Sequence, residues 1–267
     1  MSEQPHAVRA HAKLTRTLKM TGLRDDGYHL LDAEMVSLEL HDVVTLHPDL
    51  AETTIEVTGP FADGVPTDRS NLVFGALDLL GRTAGVVIDK QLPHGGGRGG
   101  GATDAAAVLR WGGFGTDPAS LAIAARLGAD IAFCTVGGRA RVTGIGEIIE
   151  PLPHVDREIT LIIPPLRVST PAAYRAWDEL GGPVGDGPND LEAAAIAVEP
   201  AMGRFRDRLH ERLGEAPMLA GSGATWFTEL AFSSVAERDD ALGDLVDEGV
   251  RIVSTRTVAE PIGAMDR

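Results

Sequence analysis

The sequence predicts an α+β protein of two domains, and three features of the chain support this prediction. In the first half, several strand-like segments precede helices that surround a glycine-rich stretch near residue 100. The second half follows the order strand, helices, strand, helix, strand, which is typical of a small α+β sandwich. Between the halves, residues 149–158 are polar and contain proline. We therefore expect domains at 1–154 and 155–267, with a cleft between them.

The composition excludes several functional classes. The 267 residues are 43% hydrophobic and 24% charged, and no stretch of 18 apolar residues predicts a membrane span. The formal net charge of −15 argues against a nucleic-acid-binding surface. The N-terminal segment lacks the apolar core of a secretion signal, and the single cysteine, Cys134, cannot form an intrachain disulfide. We therefore expect a cytoplasmic protein without a membrane or nucleic-acid partner, and the histidine spacing gives no support for a zinc site.

The first predicted strand, at residues 8–22, carries a run of basic side chains. Alternation places four polar residues on one of its faces: Lys13, Thr15, Thr17 and Lys19. Between Arg9 and Arg24 the chain has five basic residues and no acidic one. In so acidic a chain, this run is either a solvated basic edge or one wall of an anion site.

The remaining elements follow from local patterns. We expect strands at 30–46, 53–58, 85–92, 159–165 and 251–258, and a hairpin at 131–144. Helices are expected from Ser70, from Asp117 with Pro118 in the first position, from Thr170, at 189–198 and at 234–246. Ser70 and Thr170 are available as caps, Gly128 suits a helix exit, and Asn189 with Glu192 has the spacing of a capping box. A glycine turn at 221–223 precedes another strand.

The stretch PHGGGRGGGATDAAAVLRW, residues 93–111, has six glycines in seven positions and raises two alternatives. A strand precedes it, and a helix that Thr103 or Asp104 could cap follows it. In such an arrangement, backbone N–H groups and the helix dipole can hold a phosphate, and glycines allow its close approach. A purely structural glycine turn explains the composition equally well. The stretch is neither a Walker A loop nor a good dinucleotide fingerprint.

Four ordered motifs resemble one family. They are AHAKLTRTLKMTGLRDDGYHLLD near the N-terminus, the glycine stretch, LGADIAFCTVGGRARVTGIGE, and MLAGSGATWF. Together they resemble the 4-diphosphocytidyl-2-C-methyl-D-erythritol kinases, within the GHMP small-molecule kinases, over nearly the whole chain. The resemblance implies a two-domain α+β fold. Its N-terminal domain is ribosomal protein S5 domain 2-like, its C-terminal domain is a ferredoxin-like α/β sandwich, and the active site lies in the interdomain cleft.

The resemblance also implies the reaction and its catalytic residues. Family members transfer the γ-phosphoryl group of ATP to a substrate hydroxyl in the non-mevalonate route to isoprenoid precursors, so ATP and Mg²⁺ are expected. Asp130 would accept the hydroxyl proton, and Lys13 would stabilise the transferring phosphoryl group or orient the hydroxyl. Without the resemblance, Asp130 is an aspartate at a helix exit and Lys13 an exposed strand lysine. The ligands of Mg²⁺ stay unassigned.

By the same resemblance, the glycine stretch would bind ATP. The residues expected there are Pro93, His94, Gly95, Gly96, Gly97, Arg98, Gly99, Gly100, Gly101, Ala102 and Thr103. Substrate contacts would come from Thr15, Tyr28, His29 and Tyr174. The two tyrosines could hold a cytosine between them, or Tyr174 could simply pack into the core beside Trp177.

Several positions depart from the family pattern. Thr15 stands where asparagine is usual, Arg98 where leucine or methionine is usual, and Ala102 replaces a hydroxyl residue, although Thr103 keeps one. Arg16 and Lys19 occupy positions that are more often apolar or aromatic. These departures leave two further hypotheses open: a kinase for another small-molecule alcohol, and a catalytically silent nucleotide-binding relative.

Overall fold

The structure is a computed structural model, and it describes residues 4–48, 50–92 and 100–259. In these residues the chain forms two β-sheets with helices packed against each, which confirms the predicted α+β class. The predicted boundary between residues 154 and 155 falls in the connection between the sheets. It stays a prediction.

The first sheet is organised around two long antiparallel strands, β1 (His6–Leu23) and β2 (His29–Pro48). The other edge of β2 pairs with β4 (Ala84–Asp89) and with β5 (Arg139–Gly144). The sheet is completed by β3 (Thr54–Thr58), parallel to β4, and β6 (Ile148–Leu152), antiparallel to β5. Because β1 is irregular, with register shifts between His11 and Lys13 and between Thr15 and Thr17, its side chains do not alternate strictly.

Four helices pack with the first sheet: α1 (Leu72–Leu80), α2 (Gly100–Trp111), α3 (Pro118–Leu127) and α4 (Ala129–Val136). The centre of the resulting core is α2, whose alanines 105–107 are completely buried. Small side chains allow α1, α4 and β1 to approach this helix closely.

The second sheet contains four antiparallel strands within the described residues, in the order β10-β7-β9-β8. They are β7 (Glu158–Ile163), β8 (Met218–Leu219), β9 (Trp226–Thr228) and β10 (Arg251–Arg256). Helices α5 (Thr170–Glu179), α6 (Glu192–Val198) and α7 (Ala201–Leu213) connect β7 to β8. Helix α8 (Val235–Leu242) and a 3-10 helix (Gly243–Glu248) lead to β10. This order and connectivity match the ferredoxin-like arrangement.

An apolar cluster joins the two sheets. Leu14 of β1 and Leu38 of β2 belong to the same buried cluster as Leu161 of β7 and Phe227 of β9. The end of β10 also touches β2, through a bridge between Leu38 and Thr257. The two sheets therefore bury apolar surface against each other near the middle of β1, where the predicted catalytic lysine lies.

One sequence prediction about an element was wrong, and one helix was missed. Residues 131–136, expected as the first strand of a hairpin, are helical in α4, and the hairpin is formed by β5 and β6 instead. A short apolar run gives no clear period, and α4 is buried by packing against α2 and α3. Helix α7, buried through Met202, Phe205 and Leu209, was not predicted.

Three predicted helix caps were also wrong. Asn71, not Ser70, caps α1, with its side chain accepting from the Val73 N–H at 3.0 Å. Thr103 and Asp104 lie within the first turns of α2, which begins at Gly100. Thr170 is the first residue of α5 rather than its cap. The cap of α3 is as predicted, since Asp117 accepts from the Ala119 and Ser120 N–H groups.

Candidate active site

Lys13 and Asp130 face each other across the junction of β1 and α4. The Lys13 Nζ lies 3.1 Å from Asp130 Oδ2. The lysine side chain is only 6% exposed, whereas that of the aspartate is 32% exposed. The sequence placed Asp130 at a helix exit, but it is in the first turn of α4, where a carboxylate is favoured by the helix dipole. A buried ammonium is thus paired with a carboxylate that still reaches solvent.

Thr15 extends this pair towards the second sheet. Its hydroxyl accepts a hydrogen bond from Lys13 Nζ at 3.3 Å, so the two side chains share a face as predicted. Thr15 is buried, and Gly221 lies directly against it. A Cβ at Gly221 would meet Thr15 Oγ1 at 3.7 Å. Gly221 has a φ of +59°, a conformation that suits glycine.

The glycine turn at residues 221–223 is held in place by Asn189. The Asn189 amide donates to the carbonyl oxygens of Leu219 (2.9 Å) and Gly221 (2.7 Å), and its Oδ1 accepts from the Leu191 N–H. The capping box predicted for Asn189 with Glu192 is wrong, because α6 begins only at Glu192, after Leu191, and the Glu192 carboxylate pairs with Arg206. A second contact, between the Ser222 and Thr170 hydroxyls at 2.7 Å, ties the turn to α5.

Among the predicted substrate residues, the structure brings His29 and Tyr174 together. Their ring centroids are 5.0 Å apart, Trp177 lies 5.6 Å from His29, and His29 Nε2 is 2.8 Å from Asp178 Oδ1. Tyr28 instead lies 59% exposed in the turn after β1, with the Arg24 guanidinium 5.3 Å from its ring centre. The side chains on α5 thus form one wall around His29.

Tyr174 also packs against the apolar side chains of Leu18, Met20 and Leu191, as the core-packing alternative expected. Burial raises the pKa of Tyr174 to about 12, and the nearby Asp130 carboxylate adds to the shift. The phenol is therefore neutral at physiological pH.

Only some of the predicted ATP-binding residues lie in the part of the chain that the structure describes. Pro93 to Gly99, including Arg98, lie outside the described residues. Gly100 to Thr103 form the first turn of α2, with Ala102 and Thr103 buried. The Thr103 hydroxyl donates to the Gly100 carbonyl at 2.9 Å. The glycine stretch therefore leads directly into a helix N-terminus, as a phosphate site requires.

A buried ion triad lies where the chain enters and leaves this stretch, and sequence reasoning missed it. Lys90 Nζ is 2.5 Å from Asp42 Oδ2 and 2.8 Å from Asp104 Oδ2, and all three side chains are at most 2% exposed. Asp42 Oδ1 also accepts from the N–H groups of Gln91 and Leu92. The residues on both sides of the glycine stretch are thereby fixed to β2.

Most of the basic run on β1 does not form an anion-binding wall. Arg16 pairs with Glu34 and Glu229, Lys19 with Asp190, and Arg24 with Asp26. Lys19 Nζ also donates to the carbonyl oxygens of Gly185 and Gly187. Carboxylates of this acidic chain neutralise these cations, so the alternative of an anion-binding wall is wrong for them.

Other chemistry has little support in the described part of the chain. No group of three or more His, Cys, Asp or Glu side chains there is placed to hold a metal ion. Burial raises the pKa of the Cys134 thiol to about 12, so it does not supply a thiolate nucleophile. Within the same residues, no helix is both long and apolar enough to cross a membrane.

Comparisons with known proteins agree with this geometry. The family described as GHMP kinases N terminal domain matches residues 71–138, a span that includes α2 and Asp130. The chain is 39% identical to the 4-diphosphocytidyl-2-C-methyl-D-erythritol kinase of Paracoccus denitrificans (strain Pd 1222) over 251 residues, which cover 87% of this chain and 89% of that protein. The protein of the same name from Jannaschia sp. (strain CCS1) is 36% identical over 259 residues, with coverages of 88% and 91%.

Solved structures show the same relationship. A crystal structure of 4-(cytidine 5'-diphospho)-2C-methyl-D-erythritol kinase is similar to this chain with a TM-score of 0.72 and 28% identity, covering 94% of this chain and 99% of that one. A homoserine kinase from Cytophaga hutchinsonii ATCC 33406 gives a TM-score of 0.63 at 17% identity, covering 98% of this chain and 96% of that one. At that identity the likeness concerns the fold alone.

Proposed function

The chain belongs to the family of 4-diphosphocytidyl-2-C-methyl-D-erythritol kinases, within the GHMP kinases, and from this we propose that Lys13 and Asp130 are its catalytic pair. The chain is an ATP-dependent small-molecule kinase of the non-mevalonate route to isoprenoid precursors. Its acceptor is the 2-hydroxyl of 4-diphosphocytidyl-2-C-methyl-D-erythritol. The observation that carries the assignment is the 3.1 Å contact between Lys13 Nζ and Asp130 Oδ2 beside α2 and the 221–223 turn.

In this mechanism, Asp130 acts as the proton acceptor. The substrate oxygen attacks the γ-phosphorus of ATP, the bond from that phosphorus to the β–γ bridging oxygen breaks, and ADP leaves. The hydroxyl proton passes to the Asp130 carboxylate, which is accessible enough to meet a substrate oxygen. Phosphoryl transfer depends mainly on positioning and charge stabilisation, so a single carboxylate is sufficient as the base.

Lys13 supplies the positive charge in the same proposal. Its ammonium is buried and held in direction by Asp130 and by the Thr15 hydroxyl. A cation that is fixed before the reaction needs little reorganisation when negative charge moves onto the transferring group. Lys13 would therefore stabilise the phosphoryl oxygens or orient the attacking hydroxyl, and Thr15 would help to align the substrate.

The nucleotide would bind at the glycine stretch, residues 93–103. The support within the described residues is the N-terminal turn of α2, which begins at Gly100. The first N–H groups of a helix and its dipole favour phosphate at this position. Arg98 would lie in the same stretch, where a guanidinium can pair with phosphate oxygens.

The cytidine end of the substrate would bind beside α5. The His29 ring lies between Tyr174, Trp177 and Asp178, and Tyr28 is adjacent in sequence and exposed. An imidazole offers both a donor and an acceptor to a base edge, and an aromatic ring can stack on it. Since Asp178 accepts from His29 Nε2–H when the imidazole is neutral, Nδ1 would remain as the acceptor.

We also propose that ATP is used as its Mg²⁺ complex. Mg²⁺ keeps several water ligands and is usually held by one or two carboxylates together with substrate phosphates. The lack of a three-ligand cluster among the described residues is compatible with that mode of binding. Mg²⁺ would neutralise charge on the phosphates, and by the family motif the Thr103 hydroxyl would lie near the phosphates or the ion. The domain division at 154/155 belongs to this proposal, with the site between the two parts.

The two alternative functions have less support. Thr15, Arg16 and Lys19 were the reasons to consider a different alcohol, but the side chains of Arg16 and Lys19 are engaged by carboxylates. A silent relative would have no need to keep Lys13 and Asp130 in contact. Neither alternative is favoured by a specific observation.

The direct test is release of ADP from Mg²⁺-ATP in the presence of 4-diphosphocytidyl-2-C-methyl-D-erythritol. We expect release that depends on this substrate, with a 2-phosphorylated product identified by ³¹P NMR. A panel of other alcohols, such as homoserine and mevalonate, serves as the comparison. If only one of these alcohols is phosphorylated, it replaces 4-diphosphocytidyl-2-C-methyl-D-erythritol as the proposed substrate. ATP binding without turnover of any alcohol would support a silent relative.

A further inference from the structure

Arg16 connects the two sheets next to the candidate catalytic residues. Its Nη1 is 2.5 Å from Glu34 Oε1 on β2, and its Nε is 2.5 Å from Glu229 Oε1, one residue beyond the end of β9. The first carboxylate belongs to the first sheet and the second to the second sheet. One guanidinium therefore bonds to both halves of the molecule.

The pairing of β1 explains how a single side chain reaches both carboxylates. Thr15 is opposite Met35 and Thr17 is opposite Glu34, so Arg16 is the extra residue of a β-bulge. A bulge redirects its side chain and increases the local twist. In addition, the Thr17 hydroxyl accepts from the Glu34 N–H at 3.0 Å, which stabilises this irregular step. Arg16 follows directly after Thr15, which lies in the site.

Two further arginines complete a chain of five alternating charges. Arg139 of β5 bonds to both Glu34 oxygens, at 2.9 and 3.2 Å, and Arg157, just before β7, bonds to Glu229 at 2.8 Å. The five side chains are between 12% and 32% exposed. Burial would raise the pKa of Glu34, but the hydrogen bonds from Arg139 and Arg16 outweigh it and lower that pKa. The carboxylate is therefore charged at neutral pH.

We propose that Arg16 is a positioning residue that keeps the 221–223 turn of the second sheet aligned with Lys13 and Thr15 on β1. This inference rests on the proposed kinase function. Leu14 and Phe227, each two residues before Arg16 and Glu229, pack in the cluster that joins the sheets. The apolar contact holds the sheets together but has no preferred direction. The Arg16–Glu229 hydrogen bond supplies direction, because it holds the end of β9 opposite to the 221–223 turn, while Thr15 contacts Gly221 at the turn itself.

A substitution at Arg16 tests this without leaving a buried carboxylate unpaired. In Arg16→Met, Glu34 keeps Arg139 and Glu229 keeps Arg157, and the methionine retains an unbranched apolar stem. Because small displacements of reacting groups reduce rates strongly, we expect kcat to fall by about tenfold or more. The KM for ATP should change little, since the residues at the N-terminus of α2 are not touched.

The experiment is a double-mutant cycle on kcat with Arg16→Met, Glu229→Gln and the double variant, at a temperature well below the thermal midpoint of each. We expect both single variants to lower kcat and the double variant to be no worse than Arg16→Met alone. Arg16→Lys, which keeps the charge, should recover part of the loss. Arg141→Met serves as the control, because Arg141 pairs with Asp32 within the first sheet only.

Each outcome has one meaning. An unchanged kcat in Arg16→Met, or additive losses in the double variant, would overturn the positioning role. A loss equal to that of Arg141→Met would also overturn it, because it would show a general effect of removing an ion pair. Lack of turnover in the unmodified protein would instead contradict the proposed function.

Discussion

Asp104 and Lys90 form a buried ion pair, 2.8 Å between carboxylate oxygen and ammonium, at the two ends of the glycine stretch. Asp42 is a second carboxylate on the same ammonium, so two negative charges share one positive charge in a region without solvent. Burial raises the pKa of Asp104 to about 7; Lys90 opposes this rise and Asp42 adds to it. The second oxygen of Asp104 has no hydrogen-bond partner among the described residues.

This arrangement predicts how the stability of the protein depends on pH. In the unfolded chain Asp104 titrates near pH 4, whereas in the folded protein its pKa is about 7. Between these values the folded state binds the additional proton, so this residue lowers stability as pH rises from 4 to 7. Asp104→Asn removes this pH-dependent loss of stability. Its free energy of unfolding relative to the unmodified protein should therefore rise over this range, by about 2 kcal/mol or more.

The measurement is urea unfolding at several pH values between 4 and 8. Asp117→Asn is a control for which the pH dependence of stability should have the opposite sign. Hydrogen bonds from Ser120 lower the pKa of Asp117, which is fully exposed. A difference between Asp104→Asn and the unmodified protein that does not change with pH would show that Asp104 is already ionised at pH 4.

A second prediction concerns Asn189 and the glycine turn. Asn189→Ala leaves two carbonyl groups and one N–H without partners in a buried place, so we expect a loss of about 3 kcal/mol in the free energy of unfolding. It should also lower kcat, because the Gly221 carbonyl is one of those groups and Gly221 lies against Thr15.

Asn71→Ala is the matched control for that experiment. Asn71 is equally buried, and its side chain also joins a carbonyl, that of Pro66 five residues earlier, to a helix N–H. It lies at α1, away from Thr15 and the turn. We expect a comparable loss of stability with kcat retained, and equal kcat losses in both variants would contradict a specific role for the turn.

The local elements of this fold could be predicted from the sequence. The strand at β1, the Asp117 cap and Pro118 at the start of α3 depend on neighbouring residues, so short patterns identify them. Helix α4 could not be identified in this way, because its four buried apolar residues, 131–134, are covered by contacts with α2 and α3 and do not form an apolar stripe on one face. The role of Asn189 was not predicted for a related reason: the two carbonyl groups that accept from its amide are 30 and 32 residues away.

The candidate site shows the same limit. Lys13 and Asp130 were predicted to act together only because their motifs resemble those of a family, since nothing in their spacing indicates a contact. The Lys90 triad had no such motif to reveal it. Its members are separated by 48 and 14 residues in sequence and meet only because β2, β4 and α2 pack together. Short patterns therefore find elements, whereas ion clusters of this kind require the fold.

A third prediction distinguishes the substrate wall from the nucleotide site. His29→Ala removes a ring that lies against Tyr174 and Trp177, together with its hydrogen-bonding groups. We expect the KM for the cytidyl substrate to rise by about tenfold, because one or two hydrogen bonds to the substrate are lost, and the KM for ATP to stay unchanged. His29→Phe keeps an aromatic ring, so this variant should retain the stability of the protein but should still bind the cytidyl substrate weakly. His41→Ala, on the same strand, is the control, and equal effects on both KM values would contradict the assignment.

The last prediction concerns the catalytic pair itself. Asp130→Asn keeps the shape of the side chain but removes the proton acceptor, so kcat should fall by about 10²- to 10⁴-fold. Lys13→Met removes the fixed positive charge, and a comparable loss of about 10²- to 10³-fold is expected. The two residues act on one transition state, so the double variant should be only slightly slower than the worse single variant.

Lys19→Met is the control for the catalytic pair. It removes the same charge from the same strand, but the Lys19 ammonium is bound to Asp190 and to two carbonyl groups. We therefore expect Lys19→Met to lower stability with kcat largely retained. All variants are compared by single-turnover kinetics with saturating ATP, and circular dichroism establishes that each is folded. A kcat within threefold of the unmodified protein in Asp130→Asn, about 0.7 kcal/mol in activation free energy, would remove Asp130 as the base.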